Sequence, residues 1–310
     1  MSPSSDALET SYAACRQVAR RAQSSFYPSF FLLRGPQRKA MEAIYAFMRH
    51  TDDLADNNGT IDERREAIGR WRHAVAEVMD WAVGRVGDSE IVGDLTIAQS
   101  PGLLLLPALA DVRRRFRIPA EHFFAVLDGV EMDLGECCFR TYSDLAEYCD
   151  RVASAVGLAC LHVWGFRDDE AFPAARCCGR ALQLTNILRD LKEDASRGRV
   201  YLPRDDMDAC AYSLEDLTRG VADERFDRLM AVEIQRARQL YHDGAELFAW
   251  LEPPGQRIFG MMIATYWRLL ERIAGEPRRV LRARVRLPAW EKLRIAFRWT
   301  CLPARRSALP

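Results

Sequence analysis

Apolar residues recur at helical spacing along most of this chain, and that pattern constrains the fold more than any other feature. Side chains three and four residues apart are apolar while the positions between them are polar, as in helices that bury one face. No strand-like alternation and no Asn-Gly hairpin signal is found. The sequence therefore predicts an all-α, single-domain helical bundle. The segments with helical spacing are 37–56, 63–84, 107–116, 120–135, 143–165, 173–198, 224–251 and 254–275.

Local signals mark several helix ends. The residues Asn-Asn-Gly at 57–59 end the first long helix, and Ser143 is a candidate N-cap. Pro173 suits the first turn of a helix that ends near Gly198. Ser213 opens a further helical stretch.

Composition excludes few functional classes. Lys+Arg and Asp+Glu both total 44, so the formal net charge of zero gives no argument for a nucleic-acid partner. The nine cysteines are odd in number and contain no C-x-x-C pair, which indicates reduced thiols rather than a disulfide framework or a zinc site. The N-terminus has no secretory signal, and the apolar run 101–110 is about half the length that spans a bilayer. We expect a cytoplasmic protein, at most peripheral to a membrane.

Two acidic clusters carry the chemistry. The first is "DDLAD" at 52–56 and the second is "NILRDLKED" at 186–194. Residues four apart share a helix face, so each cluster predicts a stripe of polar side chains that includes carboxylates. The first stripe is Tyr45, Arg49, Asp52 and Asp56, and the second is Gln183, Asn186, Asp190 and Asp194.

The alternative for each cluster is a solvated helix end. That alternative is weaker for the second, because its polar residues lie within the apolar run "ALQLTNIL". A buried carboxylate costs several kcal/mol unless it is paired or binds a cation. Together the clusters predict Mg²⁺, which binds through a few carboxylates and substrate phosphates, and hence a diphosphate substrate. Arg49, Arg189, Arg197 and Arg199 lie nearby to grip phosphate oxygens. Neither GxxxxGK[ST] nor GxGxxG is present, so NADPH has no support from the sequence.

The chain resembles the squalene/phytoene synthase family, the head-to-head prenyl synthases, from about residue 24 to about 290. The matching words are "SSFY" (24–27), "AIYAFMRHTDDLAD" (43–56), "GVEMDL" (129–134), "YCDRVASAVG" (148–157) and "ALQLTNILRDLKEDASRGRVYLP" (181–203). One departure is Ser154, where many members have glycine. Serine there would narrow a close backbone approach and alter the shape of the cavity.

The resemblance implies an isoprenoid synthase fold with a central apolar cavity, at whose mouth the two acidic stripes face each other. It implies two or three Mg²⁺ ions bound with substrate diphosphate. One prenyl diphosphate would ionise, the double bond of the other would attack, and loss of a proton would close a cyclopropane. By motif position, the metal ligands are Asp52, Asp56, Asn186, Asp190 and Asp194, the aspartates being catalytic together with Tyr148. The substrate-binding residues are Ser25, Phe26, Tyr45, Arg49, Gly157, Leu182, Gln183, Arg189 and Tyr201.

The motif sequences are most similar to those of bacterial presqualene diphosphate synthases, which implies two farnesyl diphosphates as substrates. Phytoene synthase, acting on geranylgeranyl diphosphate, is the alternative. A class I terpene cyclase or a non-enzymatic family member are further alternatives. Terpene cyclases usually have Ser or Thr and then Glu where this chain has Asp190 and Asp194.

The sequence suggests three segments: an N-terminal extension (1–23), the isoprenoid synthase domain (24–277) and a basic C-terminal arm (278–310). The arm has ten basic residues against one acid, Glu291, over 278–306. Aromatic residues alternate with these charges, so the arm either contacts anionic lipid peripherally or is a solvated helix packed back on the domain. A nucleic-acid role is not expected, since no recognisable module accompanies the arm.

Overall fold

The computed structural model describes residues 5–22, 26–81, 102–135 and 138–310. In these residues α-helices are joined by turns and short 3₁₀-helices. There is no β-strand among them, only two isolated β-bridges. The all-α prediction is confirmed. The helices are α1 (Ser5–Arg21), α2 (Gly35–Ala55), α3 (Ile61–Trp81), α4 (Leu106–Phe116), α5 (Ala120–Met132), α6 (Tyr142–Cys149), α7 (Ala155–Trp164), α8 (Ala171–Ser196), α9 (Arg204–Ala209), α10 (Leu214–Arg219), α11 (Glu224–Ala245), α12 (Leu247–Trp250), α13 (Pro253–Gly275) and α14 (Ala289–Cys301).

The described residues form two compact units. The first lies within Met1–Leu134 and Ala159–Gly165, and the second within Gly135–Leu158 and Phe166–Pro310. Helices α1 to α5 belong to the first unit and α8 to α14 to the second. None of the helices in the described ranges is long and apolar enough to cross a membrane.

Helix α2 is the centre of the first unit, where α1, α3, α4 and α5 contact it. The buried Thr51 hydroxyl donates to the Phe47 carbonyl and accepts from the Trp71 indole N–H, both at 2.9 Å. The helix ends as expected before 57–59, because the Asn57 side-chain amide donates to the Leu54 carbonyl. The result is a rigid helix whose C-terminal turn carries the first acidic cluster.

Helix α8 holds the same place in the second unit, with α11 packed along it. A Cβ on Gly244 of α11 would lie 2.5 Å from the Cys178 sulfur, and one on Gly179 would lie 2.4 Å from the Cα of Ser154. Only glycine fits such contacts. The close approach expected at Ser154 is therefore present, but the glycine is supplied by α8, and the Ser154 hydroxyl bonds the Arg176 carbonyl at 3.0 Å.

One predicted helix boundary was wrong. The N-cap of α6 is Thr141 and not Ser143, because Thr141 and Asp144 exchange side-chain and backbone hydrogen bonds in a capping box. The segment predicted at 143–165 is helical without a break over 142–164, and a π-helical turn at Asp150–Ser154 joins α6 to α7. The predicted start at Ser213 is confirmed by a second capping box.

Cysteines are thiols throughout the described residues. Those at 15, 149, 160, 178 and 210 are buried, Cys177 is half-buried, and Cys138 and Cys301 are exposed. Burial raises the pKa of the Cys15 and Cys160 thiols to about 12, so both stay protonated at neutral pH.

The C-terminal helix α14 is attached to α13 by one ion-pair clamp and one aromatic ring. Glu291, only 1% exposed, pairs with Arg268 at 2.8 Å and with Arg272 at 2.9 Å. Trp299 packs where a Cβ on Gly260 would lie 2.1 Å from its ring. The arm is therefore an ordered part of the second unit.

Replacing Glu291 with Gln should lower the free energy of unfolding by about 2 kcal/mol, the usual cost of losing hydrogen bonds to a charged group. The partner arginines are partly solvated, which keeps the loss below that of a fully buried pair. Urea unfolding measures the difference. Glu276→Gln is the matched control, because Glu276 is 71% exposed and lies 3.6 Å from Arg279. Equal stabilities of the two variants would contradict the clamp.

Candidate active site

The first acidic cluster lies at the C-terminal end of α2. Tyr45, Arg49 and Asp52 follow one another along one side of the helix, and Asp56 is its C-cap. The predicted shared face is thus present. Arg49 bonds the carboxylate of Asp53, a residue that the sequence reasoning did not assign.

The electrostatics of this cluster centre on Asp52. Desolvation by the surrounding protein raises the pKa of Asp52 to about 7. Neighbouring carboxylates contribute to this rise, and they belong to Asp133, Asp56 and Asp53. Arg49 opposes them. The Asp52 side chain reaches solvent, so the raised pKa reflects dense protein and concentrated negative charge rather than complete enclosure.

Asp133 is a member of this cluster that sequence reasoning missed. It follows the last residue of α5 within the word "GVEMDL", which was the available signal. Arg72 of α3 positions α5 by pairing with Asp128 at 2.6 Å and Glu131 at 3.1 Å. A small apolar core holds the same helix ends together, formed by Ala55, Ile68, Val130 and Leu134.

Two further predicted residues, Ser25 and Phe26, precede α2 in the sequence. Ser25 is not among the described residues. Phe26 is half-buried and precedes the short 3₁₀-helix Tyr27–Leu32. Within that helix, Phe30 meets the Tyr45 ring edge-on at 6.4 Å. The segment after Phe26 therefore packs on the same helix that carries the acidic cluster.

The second stripe lies on α8. Gln183, Asn186, Asp190 and Asp194 are all half-buried, as the apolar surroundings predicted. The Asn186 amide nitrogen donates weakly to the Gln183 side-chain oxygen at 3.5 Å. The Asn186 side-chain oxygen is buried and has no hydrogen-bond partner among the described residues. A buried acceptor of this kind is costly unless a cation or a donor completes it.

Asp190 is enclosed by two guanidinium groups. Arg189 bonds it through both carboxylate oxygens. Arg284 of the C-terminal arm approaches to 3.0 Å and 3.2 Å. Tyr266 of α13 in turn bonds Arg189. Arg284 and Tyr266 are residues that sequence reasoning did not place in the site, since both lie far from the motif in sequence.

Asp194 ends the stripe with a perturbed pKa. The pKa of Asp194 is raised to about 7, mainly by desolvation and next by the Asp190 carboxylate. Arg199 and Arg197 oppose the rise. The predicted arginines near this stripe therefore act on its carboxylates.

Three aromatic rings stack beside the chain that follows α8. Tyr148 and Tyr201 are 5.2 Å apart between ring centroids, and Phe139 lies 5.3 Å from Tyr148. A parallel β-bridge between Cys138 and Val200 brings these segments together. Tyr148 and Tyr201 were predicted, whereas Phe139 was missed because "CCFRTY" contains no recognisable motif.

Two predicted cavity residues, Gly157 and Leu182, have contacts that indicate no special role. Gly157 is half-buried, and a Cβ there would lie 3.9 Å from the Ala175 carbonyl, so its contacts do not require glycine. Leu182 is half-buried on α8. Their roles stay predictions, as does the meeting of the two acidic stripes.

The donor atoms suit a hard cation completed by substrate. Within the described residues, no group of three or more His, Cys, Asp or Glu side chains is arranged to hold a metal ion by itself. Mg²⁺ does not require such a cage, because it keeps waters and takes substrate phosphates as ligands. The unpartnered Asn186 oxygen and the raised pKa values of Asp52 and Asp194 are the features that such a cation would relieve.

Comparison with known proteins identifies the family. The squalene/phytoene synthase family model matches residues 19–291. A phytoene synthase of Arthrospira platensis is 32% identical over 306 residues, covering 94% of this chain and 91% of the relative. A presqualene diphosphate synthase of Zymomonas mobilis is 33% identical over 288 residues, covering 92% and 90%. A solved dehydrosqualene synthase superposes with a TM-score of 0.78 at 25% identity, over 95% of this chain and 96% of that one. The predicted fold is confirmed.

Binding of Mg²⁺ should release protons at pH 7 and none at pH 8.5. The pKa of both Asp52 and Asp194 is about 7, so each is partly protonated in the metal-free protein. A bound cation requires the carboxylate form, and about one proton in total should leave at pH 7. Calorimetric titration with MgCl₂ in buffers of different ionisation enthalpy measures the release.

The matched variants are Asp52→Asn with Asp194→Asn, in which release should vanish, and Asp62→Asn, in which it should persist. Asp62 is 91% exposed, belongs to the first turn of α3 and pairs with Arg65 at 2.9 Å. Proton release that is the same at both pH values would show that these carboxylates are not the titrating groups.

Proposed function

The chain belongs to the squalene/phytoene synthase family of prenyltransferases, which condense prenyl diphosphates head to head, and from this premise we propose that it converts two farnesyl diphosphates to presqualene diphosphate. The observation that carries the proposal is the unpartnered Asn186 oxygen beside Asp190 and Asp194 on a helix that is otherwise packed. Such a stripe suits a magnesium–diphosphate ligand better than solvent. The similarity to the Zymomonas mobilis relative supports the farnesyl substrate.

The proposed metal ligands are the four aspartates and the one asparagine of the two stripes. They are Asp52, Asp56, Asn186, Asp190 and Asp194. Bound Mg²⁺ supplies Lewis-acid stabilisation of the departing diphosphate. Asp133 adds negative charge to the first stripe and so strengthens its attraction for a divalent cation.

The arginines hold phosphate oxygens in this proposal. Arg189 bonds the proposed ligand Asp190 directly, and Arg49 bonds Asp53, the residue next to the proposed ligand Asp52. A guanidinium donates to phosphate through two parallel N–H bonds. Tyr45 lies one helical turn before Arg49 and presents its hydroxyl on the same side. Arg284 shares Asp190 and is a further candidate for the diphosphate.

The chain's apolar and aromatic residues protect the carbocation. When the allylic C–O bond breaks, the electron pair leaves with diphosphate and the double bond of the second substrate attacks the cation. A proton is then lost as the cyclopropane closes. The faces of Phe139, Tyr148 and Tyr201 offer negative electrostatic potential to passing positive charge, and their burial keeps water away.

A product assay tests the substrate. Purified protein with Mg²⁺ and farnesyl diphosphate should give presqualene diphosphate without NADPH, identified by mass spectrometry. Geranylgeranyl diphosphate in a parallel reaction should be used poorly. Phytoene from geranylgeranyl diphosphate would instead establish the second candidate, which the Arthrospira platensis relative favours. A cyclic hydrocarbon from a single diphosphate would establish a terpene cyclase.

Asp52→Asn and Asp190→Asn should each reduce kcat by at least roughly 10²–10³-fold, the usual effect of removing one group that stabilises departing charge. Asp62→Asn on α3 is the control and should keep full activity, because its carboxylate is exposed and pairs only with Arg65. Thermal unfolding of all three variants checks that they are folded. Full activity of either stripe variant would contradict the metal role.

A further inference from the structure

The C-terminal helix α14 presents an apolar ridge to solvent. Trp290, Leu293 and Phe297 are 59%, 70% and 60% exposed, and Leu302 just beyond the helix is 42% exposed. These four are half of the eight large apolar side chains that are exposed in the described residues. Steps of three and four residues place Trp290, Leu293 and Phe297 on one side of the helix. We call these three residues the outer ridge.

The inner side of α14 fixes the direction in which the ridge points. Glu291 and Trp299 are each 1% exposed and lie on the side opposite Leu293 and Phe297 around the axis. Glu291 is clamped by two arginines of α13, and Arg257 donates to the Trp299 carbonyl at 2.8 Å. The ridge is therefore exposed because the helix is docked by its other face.

Positive charge flanks the ridge. Lys292, Arg294 and Arg298 lie on α14, and no acidic side chain in the described residues forms an ion pair with any of them. Lys292 and Arg294 are exposed, whereas Arg298 is half-buried and donates to the Pro303 carbonyl at 2.8 Å. The Arg294 guanidinium lies 5.8 Å from the centre of the Trp290 ring. The single acid of the helix, Glu291, is buried and neutralised by its own clamp. The exposed surface of α14 is thus apolar and cationic with no compensating negative charge.

This combination suits one kind of partner. Tryptophan and arginine beside exposed Leu and Phe side chains are typical of helices that lie in the headgroup region of a bilayer. A second copy of the chain would bury too little: the ridge offers roughly 300 Å², against about 800 Å² per partner in a stable interface. A nucleic acid would use the charges but leave the apolar side chains in water.

We infer that the outer ridge of α14 inserts into the headgroup region of an anionic lipid bilayer, with Lys292, Arg294 and Arg298 contacting lipid phosphates. This contact lies outside the proposed catalytic chemistry and does not depend on it. Insertion removes three apolar side chains from water, which favours binding. Each cation near an anionic surface adds an electrostatic attraction to this. The same docking by Glu291 and Trp299 that exposes the ridge would hold the enzyme in one orientation on the surface.

Vesicle flotation of the full chain tests the inference. The protein should float with vesicles of equimolar phosphatidylglycerol and phosphatidylcholine at low salt, and much less with phosphatidylcholine alone. The triple variant Trp290→Ser, Leu293→Ser, Phe297→Ser should bind at least about tenfold more weakly. The triple variant Lys292→Gln, Arg294→Gln, Arg298→Gln should lose about fivefold per charge.

The control is the double variant Phe31→Ser, Val232→Ser, which removes apolar side chains of 48% and 42% exposure elsewhere and should bind as the unmodified chain does. Quenching by brominated lipid gives a second readout, since Trp290→Phe should remove most of the quenched tryptophan signal. Thermal unfolding confirms that each variant is folded.

Equal binding to neutral and anionic vesicles, or unchanged binding of either triple variant, would overturn the inference. So would absence of flotation by the unmodified chain. Analytical ultracentrifugation separates the remaining case: if the serine variant dissociates a dimer instead of losing vesicle binding, a second copy covers the ridge and the lipid assignment is wrong. All of these outcomes are independent of whether the protein turns over any diphosphate.

Discussion

Concentrated negative charge on packed helices is the constraint on which the candidate site depends. Desolvation and neighbouring carboxylates raise the pKa of Asp52 and of Asp194 to about 7. Here the acids stay on helices whose other faces are fixed by the close contacts at Gly179 and Gly244 and by the buried bond of Thr51. The scaffold holds carboxylates where only a cation relieves them.

Arginines meet part of that cost in the metal-free protein. Arg49 bonds Asp53 and leaves Asp52 to a longer-range interaction, whereas Arg189 and Arg284 bond Asp190 directly. A guanidinium that partners a carboxylate is already oriented for a second anion, because its five donors exceed what one carboxylate can accept. In the proposed function the same guanidinium groups would donate to phosphate oxygens, in place of the glycine-rich phosphate loop that the sequence lacks.

Much of the fold was predictable from the sequence, because helical periodicity reports burial directly. The N-cap of α6 was misplaced by two residues because a local hydrogen bond decides it: the Thr141 hydroxyl accepts from the Asp144 backbone N–H in a capping box. The placement of motif residues was predictable, since Asn186 and Asp194 lie half-buried on α8 as expected, and their role as ligands stays a prediction. Asp133, Phe139, Tyr266 and Arg284 were not assigned, because their places depend on packing between segments that are distant in sequence. Only tertiary structure brings Arg284 to Asp190 across 94 positions.

Of the two alternatives expected for the C-terminal arm, packing on the domain is observed, and contact with anionic lipid stays a proposal that concerns the opposite face of the same helix. Its single acid and one tryptophan pack inward, so the arm is docked on α13 as a structural helix. Apolar side chains lie on both faces of α14. Because Glu291 and Trp299 dock one face on the domain, the apolar residues of the other face point outward. A helix needed only for packing would place polar residues at 290, 293 and 297. Packing of α14 on the domain does not explain why these three residues are apolar. Cations without acidic partners lie beside them, and a surface that is both apolar and anionic would match this combination.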